Sequence, residues 1–167
     1  EGRYVRLSDR LYDVLFTRGC AEFSLLDERA AVELLSAGRD ELKQALGINV
    51  KGFTAPGWWQ SGQVSGALAA LGFGFSTSAN GVTCVATGKT VRAPVISGLP
   101  RSGLALRSFL HLYNFGLAPA YLKNRPLARI ALHPYDLDNP VFMEKIEKLI
   151  RALLLDRTAC SYGEVCA

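Results

Sequence analysis

Residues 128–133 read ARIALH, a near-continuous apolar run that leads into the polar stretch PYDL at 134–137. A run of this kind is typical of a parallel strand that is buried on both faces. His133 stands at the carboxyl end of this strand, which is where parallel α/β folds place their functional side chains. The segment therefore predicts both a fold class and a candidate site.

A second strand is predicted between Val50 and Ala55, and Pro56-Gly57 turns the chain sharply out of it. Trp58 and Trp59 follow at once. Tryptophan rings bind the apolar faces of sugars, so the pair is a candidate carbohydrate platform. The alternative is that both rings pack beneath a loop.

The rest of the chain alternates between helical and extended patterns. Helices are predicted at 3–18, 28–46, 61–71 and 102–122, and one begins at Asn139-Pro140; further strands are predicted at 73–78, 82–87, 89–97 and 158–162. Asp27 and Gly47 are the expected caps of the helix at 28–46, and its apolar stripe consists of Leu34, Leu35, Leu42 and Leu46. The second and third of those further strands form a hairpin around residues 87–89. This order indicates an α/β fold with a parallel sheet. Because helices come first and only about four main strands are found, we expect part of a barrel.

Composition narrows the function classes. Apolar residues make up 49% of the 167, which is enough for one packed domain, and the net charge is +4. The basic residues are scattered among acids, so they predict a solvated face and not a nucleic-acid partner. There is no apolar stretch of about 20 residues, so no membrane span is expected.

The ends of the sequence and its cysteines leave two matters open. The first residue is Glu1 and the only methionine is Met143, so we expect a processed chain or a piece of a longer one. Cytoplasmic and exported locations both fit. The four cysteines are widely spaced without a CxxC pair, which argues against structural zinc. Cys160 and Cys166 lie close enough in sequence to meet, although free thiols are the favoured interpretation.

His133 is the candidate for proton transfer, because imidazole gains and loses a proton near neutral pH. Asp136 follows three residues later and is expected to orient that ring or tune its ionisation. His111 lies in the middle of a predicted helix, so a packing role is favoured for it.

At these positions the sequence resembles the polysaccharide deacetylase superfamily, in a branch whose substrates are poorly defined. The resemblance runs through most of the chain, and each of its features is weak alone. The features are Ala21-Glu22-Phe23, Ala37-Gly38, GFTAPGWWQS at 52–61, Gly72-Phe73, Arg92-Ala93-Pro94, Arg101-Ser102, ALHPYDL at 131–137 and Tyr162-Gly163-Glu164.

The resemblance implies a metal-dependent hydrolase that cleaves carbon–nitrogen amide bonds in acetylated carbohydrate. Such enzymes hold a divalent metal, often zinc, with one Asp and two His, and a second Asp acts as the base. His133 matches the general acid. The substrate-side loop is matched by Pro56, Trp58 and Trp59. Arg101 and Glu22 match recurrent positions without an assigned role.

The sequence departs from that family at the metal. It contains two histidines, His111 and His133, so it lacks the paired-histidine motif, and no strand with two carboxylates precedes residue 3. We therefore expect residues 1–167 to be the C-terminal part of one deacetylase-like domain. Its fold would be an incomplete TIM-like barrel with a small β-hairpin excursion, and it would bind no metal and be inactive alone.

Two alternative functions are considered. One is a non-catalytic remnant that binds carbohydrate or a protein partner through the Trp58/Trp59 loop, and the other is a product without function.

Overall fold

The structure is a computed structural model that describes residues 22–98, 112–117, 120, 122 and 124–167. Arg101, His111, the helix predicted at 3–18 and most of the helix predicted at 102–122 lie outside these residues. The chain divides into two compact units. Unit 1 consists of residues up to Val91 together with Tyr162–Ala167, and unit 2 is Arg92–Ser161.

Helix α1 of unit 1, Glu28–Leu46, begins and ends where its capping residues predict. The Asp27 carboxylate accepts a hydrogen bond from the Ala30 N–H at 2.8 Å, and Gly47 ends the helix at a φ of 68°. The apolar stripe expected from the sequence is only partly buried, since Leu35 is in the core while Leu34, Leu42 and Leu46 are exposed. Helix α2, Gly62–Ala70, packs against α1 but has 9 residues against 19, so α1 extends beyond it, and residues 40–46 are exposed.

The sheet of unit 1 has the order β1-β2-β3-β4. Its strands are Gly52–Thr54, Phe75–Ser78, Gly81–Cys84 and Thr90–Arg92. The first two are parallel, as expected, and the second and third are antiparallel. The predicted hairpin is confirmed in shorter form by β3 and β4, with Gly88 at a φ of 66° in the turn.

Apolar side chains from the helices and the sheet form the core of unit 1. Phe23, from the short turn Glu22–Ser24, meets Phe53 of β1 with ring centroids 4.8 Å apart. The other buried members are Ala31, Leu35, Ala55, Val64, Ala67, Leu68 and Phe73. This core fixes the strand from which the Trp58/Trp59 loop leaves.

Two expectations about the C-terminus are wrong. Residues 158–161 form no strand, and a short helix α4 spans Tyr162–Val165. The favoured free thiols are replaced by a disulfide between Cys84 and Cys166, with Cα atoms 5.2 Å apart. Cys160, the other partner considered for Cys166, is free and exposed.

The disulfide follows from the register of the sheet. Phe75 and Cys84 are cross-strand partners, so their side chains share one face. Tyr162 and Cys166 lie about one helical turn apart, and the Tyr162 ring contacts the Phe75 ring edge-on at 5.6 Å. One turn of chain at the C-terminus therefore meets two neighbouring positions of the sheet.

Unit 2 is built on two parallel strands, β5 at Val95–Ser97 and β6 at Arg129–Ala131, with Ser97 opposite Ala131. Helix α3, Pro140–Leu153, begins as predicted, with the Asn139 side chain accepting from the Phe142 N–H at 3.1 Å. The core of this unit contains Ile96, Leu122, Phe142, Ile146 and Leu149.

The strands of the described residues form one sheet of four strands and one of two, and neither closes into a barrel. The incomplete TIM-like barrel therefore stays a prediction. Among the same residues, no helix combines the length and apolar character needed to cross a membrane.

Candidate functional site at the carboxyl end of β5 and β6

His133 lies just beyond β6, at the start of a 3-10 turn spanning Pro134–Asp138. Its backbone is extended and its side chain is exposed. The strand and the proline-led turn thus place the imidazole at the carboxyl edge of the sheet, where the sequence predicted it.

Asp136 fixes the backbone of His133. The carboxylate Oδ2 accepts a hydrogen bond from the His133 N–H at 2.7 Å, and the Asp136 N–H donates to the His133 carbonyl at 2.8 Å. Asp136 is buried, with 3% of its surface exposed. These contacts are made to the main chain of His133, so the expected effect of Asp136 on the imidazole ring stays a prediction.

The imidazole of His133 stacks on the Tyr135 ring, with centroids 5.1 Å apart and planes 11° apart. Both side chains are exposed, and so are three aliphatic neighbours in sequence, Leu132, Leu137 and Val141. An exposed, flat aromatic pair offers the kind of surface on which a sugar ring stacks. The imidazole can also exchange protons with a group bound there.

Gly98 follows β5 and was missed by the sequence reasoning. A Cβ at this position would overlap the Asp136 carboxylate and would lie 3.0 Å from the Phe142 ring. Glycine is therefore required for Asp136 to approach the end of β5. No local pattern reveals this, because the contact joins segments far apart in the chain.

Asn114 was also missed. It lies in a π-helical turn, Tyr113–Leu117, with 1% of its surface exposed. Its Nδ2 donates to the Ser97 carbonyl at 2.8 Å, so the residue is held at the carboxyl end of β5. The sequence does offer a signal, since one asparagine interrupts the otherwise apolar and aromatic stretch FLHLYNFG at 109–116.

The tryptophan loop belongs to unit 1. Pro56–Trp58 forms a 3-10 turn, closed by a hydrogen bond from the Trp58 N–H to the Ala55 carbonyl at 2.9 Å. Gly57 and Trp58 both have left-handed backbones, with φ values of 65° and 57°. That conformation is uncommon for a bulky residue, and strained conformations of this kind cluster at functional sites. Trp58 is half-buried, whereas Pro56 is exposed and 36% of the Trp59 surface is exposed.

The predicted site residues are thus placed in two groups. His133 and Asp136 come together in unit 2, and Pro56, Trp58 and Trp59 form one loop of unit 1. Glu22 is exposed, and its turn is tied to the end of that loop by a hydrogen bond from the Ser61 N–H to the Phe23 carbonyl at 2.9 Å. Arg101 lies outside the described residues.

The metal implied by the resemblance does not fit the side chains placed here. Within residues 22–98, 112–117 and 124–167, no three or more His, Cys, Asp or Glu side chains are grouped so that they could hold an ion. The Asp136 carboxylate accepts a hydrogen bond from the backbone N–H of His133. We therefore derive no step that involves a metal.

Comparisons with protein-family models, curated proteins and solved structures find no match to this chain.

Proposed function

We propose that this chain supplies the proton-donating side of a hydrolase of the polysaccharide deacetylase type. The reaction cleaves the carbon–nitrogen amide bond of an acetylated carbohydrate. The observation that supports the proposal best is the exposed imidazole of His133 at the carboxyl end of β6, with its backbone fixed by the buried Asp136.

His133 acts as the general acid in this proposal. When water has added to the amide carbonyl, the nitrogen leaves as a poor, strongly basic group unless it is protonated as the bond breaks. The protonated imidazole donates that proton, and the Tyr135 ring keeps the imidazole plane in place by stacking. Asp136 is a positioning residue, since it holds the turn that carries the acid.

The proposal gives the described side chains no part in activating the water, because they form no metal-binding group. The Trp58/Trp59 loop of unit 1 is proposed separately, as a surface that binds carbohydrate. Its strained backbone at Trp58 is consistent with a conformation retained for binding.

The test follows the Cε1–H signals of the histidines by NMR. The sequence has only two histidines, so each signal can be observed separately. The signal of His133 is identified by its loss in His133→Gln. Titration with tri-N-acetylchitotriose and with chitotriose, its free-amine product, should shift the His133 signal and leave that of His111 in place. A His133 signal unaffected by both saccharides would overturn the proposal.

The second candidate is carbohydrate binding without turnover, which is favoured by the left-handed backbone of Trp58. It predicts that tri-N-acetylchitotriose changes the tryptophan fluorescence, that Trp59→Ala weakens the effect, and that the His133 signal does not move. Movement of the His133 signal as well would favour the hydrolase, and no change in either signal would exclude both.

A further inference from the structure

Asn114 contains a buried hydrogen-bond acceptor that the fold does not use. Its Oδ1 is covered and has no hydrogen-bond partner among the residues that the structure describes. Leaving a buried acceptor without a donor lowers stability, and buried side-chain oxygens in proteins rarely remain so. A donor supplied from outside the fold would complete this group.

The orientation of the amide is set by its other end. Nδ2 faces the Ser97 carbonyl at 2.8 Å, and only the nitrogen can donate to that oxygen. Turning the amide over would place two acceptors against each other. Oδ1 is therefore held as an acceptor, and it cannot change into a donor by rotation of the amide.

The turn that carries Asn114 is itself unusual. Tyr113–Leu117 is a π-helical turn, a wide form of helix that is rare in proteins and occurs frequently at functional sites. The Phe115 ring in this turn contacts Phe142 edge-on at 5.6 Å, and Phe142 also lies against Gly98. The turn is thus anchored at the carboxyl end of β5, the strand that pairs with β6 and its terminal His133.

We propose that Asn114 Oδ1 binds the N–H of the substrate amide and thereby selects amides over esters. The inference rests on the proposed function, in which the reacting group is an N-acetyl group. An N-acetyl group carries an N–H donor next to its carbonyl, whereas an O-acetyl group has no donor there. A buried site built to accept a hydrogen bond rejects an analogue that cannot supply it.

The same hydrogen bond assists the proposed chemistry. Holding the N–H on one side fixes the rotation of the N-acetyl group about its bond to the sugar. The nitrogen then has a defined direction in which to receive a proton as the carbon–nitrogen bond breaks. Asn114 is a substrate-binding residue in this scheme, and His133 remains the proton donor.

The direct test uses two small amides, in the second of which a methyl group replaces the N–H hydrogen of the first. N-methylacetamide has an amide N–H, and N,N-dimethylacetamide has none. Small probes are chosen because Oδ1 is covered, so an entering group has to part the neighbouring side chains. The readout is the side-chain amide signal of Asn114 in ¹⁵N-labelled protein of residues 1–167, assigned through its backbone connectivity.

We expect N-methylacetamide to shift the Asn114 signal in a saturable way, and N,N-dimethylacetamide at equal concentration to leave it unchanged. Equal shifts with both probes, or a shift with neither, would overturn the inference. This measurement uses the unaltered chain, so it does not depend on whether a variant folds.

A variant extends the test to a saccharide. Asn114→Leu removes the acceptor and should weaken binding of tri-N-acetylchitotriose about tenfold, the effect of one hydrogen bond. Asn124→Leu, at an exposed turn of the same unit, is the matched control and should bind as the wild type does. Unweakened binding by Asn114→Leu would count against the inference.

The outcomes separate the inference from the proposed function. If the Asn114 signal responds to N-methylacetamide alone while acetylated saccharides do not bind, the acceptor site stands and the proposed function fails. If saccharides shift the His133 signal while neither N-methylacetamide nor N,N-dimethylacetamide shifts the Asn114 signal, the proposed function stands and the inference is wrong.

Discussion

The buried Asp136 carboxylate accepts a hydrogen bond from the backbone N–H of His133 at 2.7 Å, three residues back in the chain. The Asp136 N–H returns a bond to the His133 carbonyl at 2.8 Å. The pair closes the turn after β6 and sets the direction in which the chain leaves the strand. The candidate acid is therefore placed by main-chain bonds, while its ring remains exposed.

Asp136→Ala should destabilise the protein by about 1–3 kcal/mol, because the His133 N–H loses its acceptor. Asp136→Asn should cost less, since an amide oxygen still accepts that bond. Urea unfolding measures both, and Asp138→Ala is the control on an exposed position of the same turn, expected within about 0.5 kcal/mol of wild type. Equal losses for the Ala and Asn variants would show that the negative charge stabilises this turn, and not the hydrogen bond.

Gly98→Ala should destabilise by about 1–3 kcal/mol, because the added methyl group meets the Asp136 carboxylate and the Phe142 ring. Gly38→Ala is the matched control. Gly38 lies in α1 with no atom within 4 Å of an added Cβ, so alanine there should stabilise by about 0.5–1 kcal/mol. The two changes are chemically identical, and their thermal unfolding should shift in opposite directions. A shift of the same sign would contradict the close approach at Gly98.

The elements that the sequence predicted best are those with local signals. Helix α1 was predicted from Asp27 and Gly47, and the start of α3 from Asn139-Pro140, because a cap acts within one turn of its own helix. The two strand ends were found for a similar reason, since Pro56 and Pro134 each begin a 3-10 turn within three residues of the end of a strand.

The features that escaped prediction depend on contacts between distant segments. Cys84 and Cys166 are separated by 82 positions, and only the β2–β3 register with the helical turn after Ser161 brings them together. The roles of Gly98 and Asn114 depend on contacts with Asp136 and Ser97, respectively. Spacing in the sequence does not reveal these contacts. The exposure of Leu42 and Leu46 likewise depends on how far α2 extends along α1.

Glu144 and Lys148 form an exposed ion pair on α3, 2.6 Å apart. The hydrogen bond and charge of Lys148 lower the pKa of Glu144, and the same contact from Glu144 raises the pKa of Lys148. Because folding lowers the pKa of Glu144, its carboxylate contributes stability at pH values above its unfolded-state pKa. That contribution is lost as the pH falls through its folded-state pKa. Raising the pH through the folded-state pKa of Lys148 removes the contribution of the ammonium.

Glu144→Gln should therefore lower the stability slightly at neutral pH and have no effect at a pH where the carboxylate of Glu144 is protonated. Salt should screen the difference, because both groups are exposed. Unfolding by urea at several pH values and at two salt concentrations measures it. A difference that persists undiminished in high salt would contradict an ion-pair origin.

Reduction of the Cys84–Cys166 disulfide should lower the stability of unit 1. The bond spans 82 positions of sequence, and cross-links of that loop length stabilise by about 4.5 kcal/mol in the chain-entropy estimate. The paired variant Cys84→Ser with Cys166→Ser should unfold at a lower temperature than wild type and should no longer respond to a reductant. Cys160→Ser is the matched control, because Cys160 is free and exposed, and it should keep both the wild-type melting temperature and the response.

Loss of the bond should also release the Tyr162 ring from Phe75, so hydrogen exchange at 162–167 should accelerate on reduction. If wild-type protein melts at the same temperature with and without reductant, the Cys84–Cys166 bond does not stabilise unit 1.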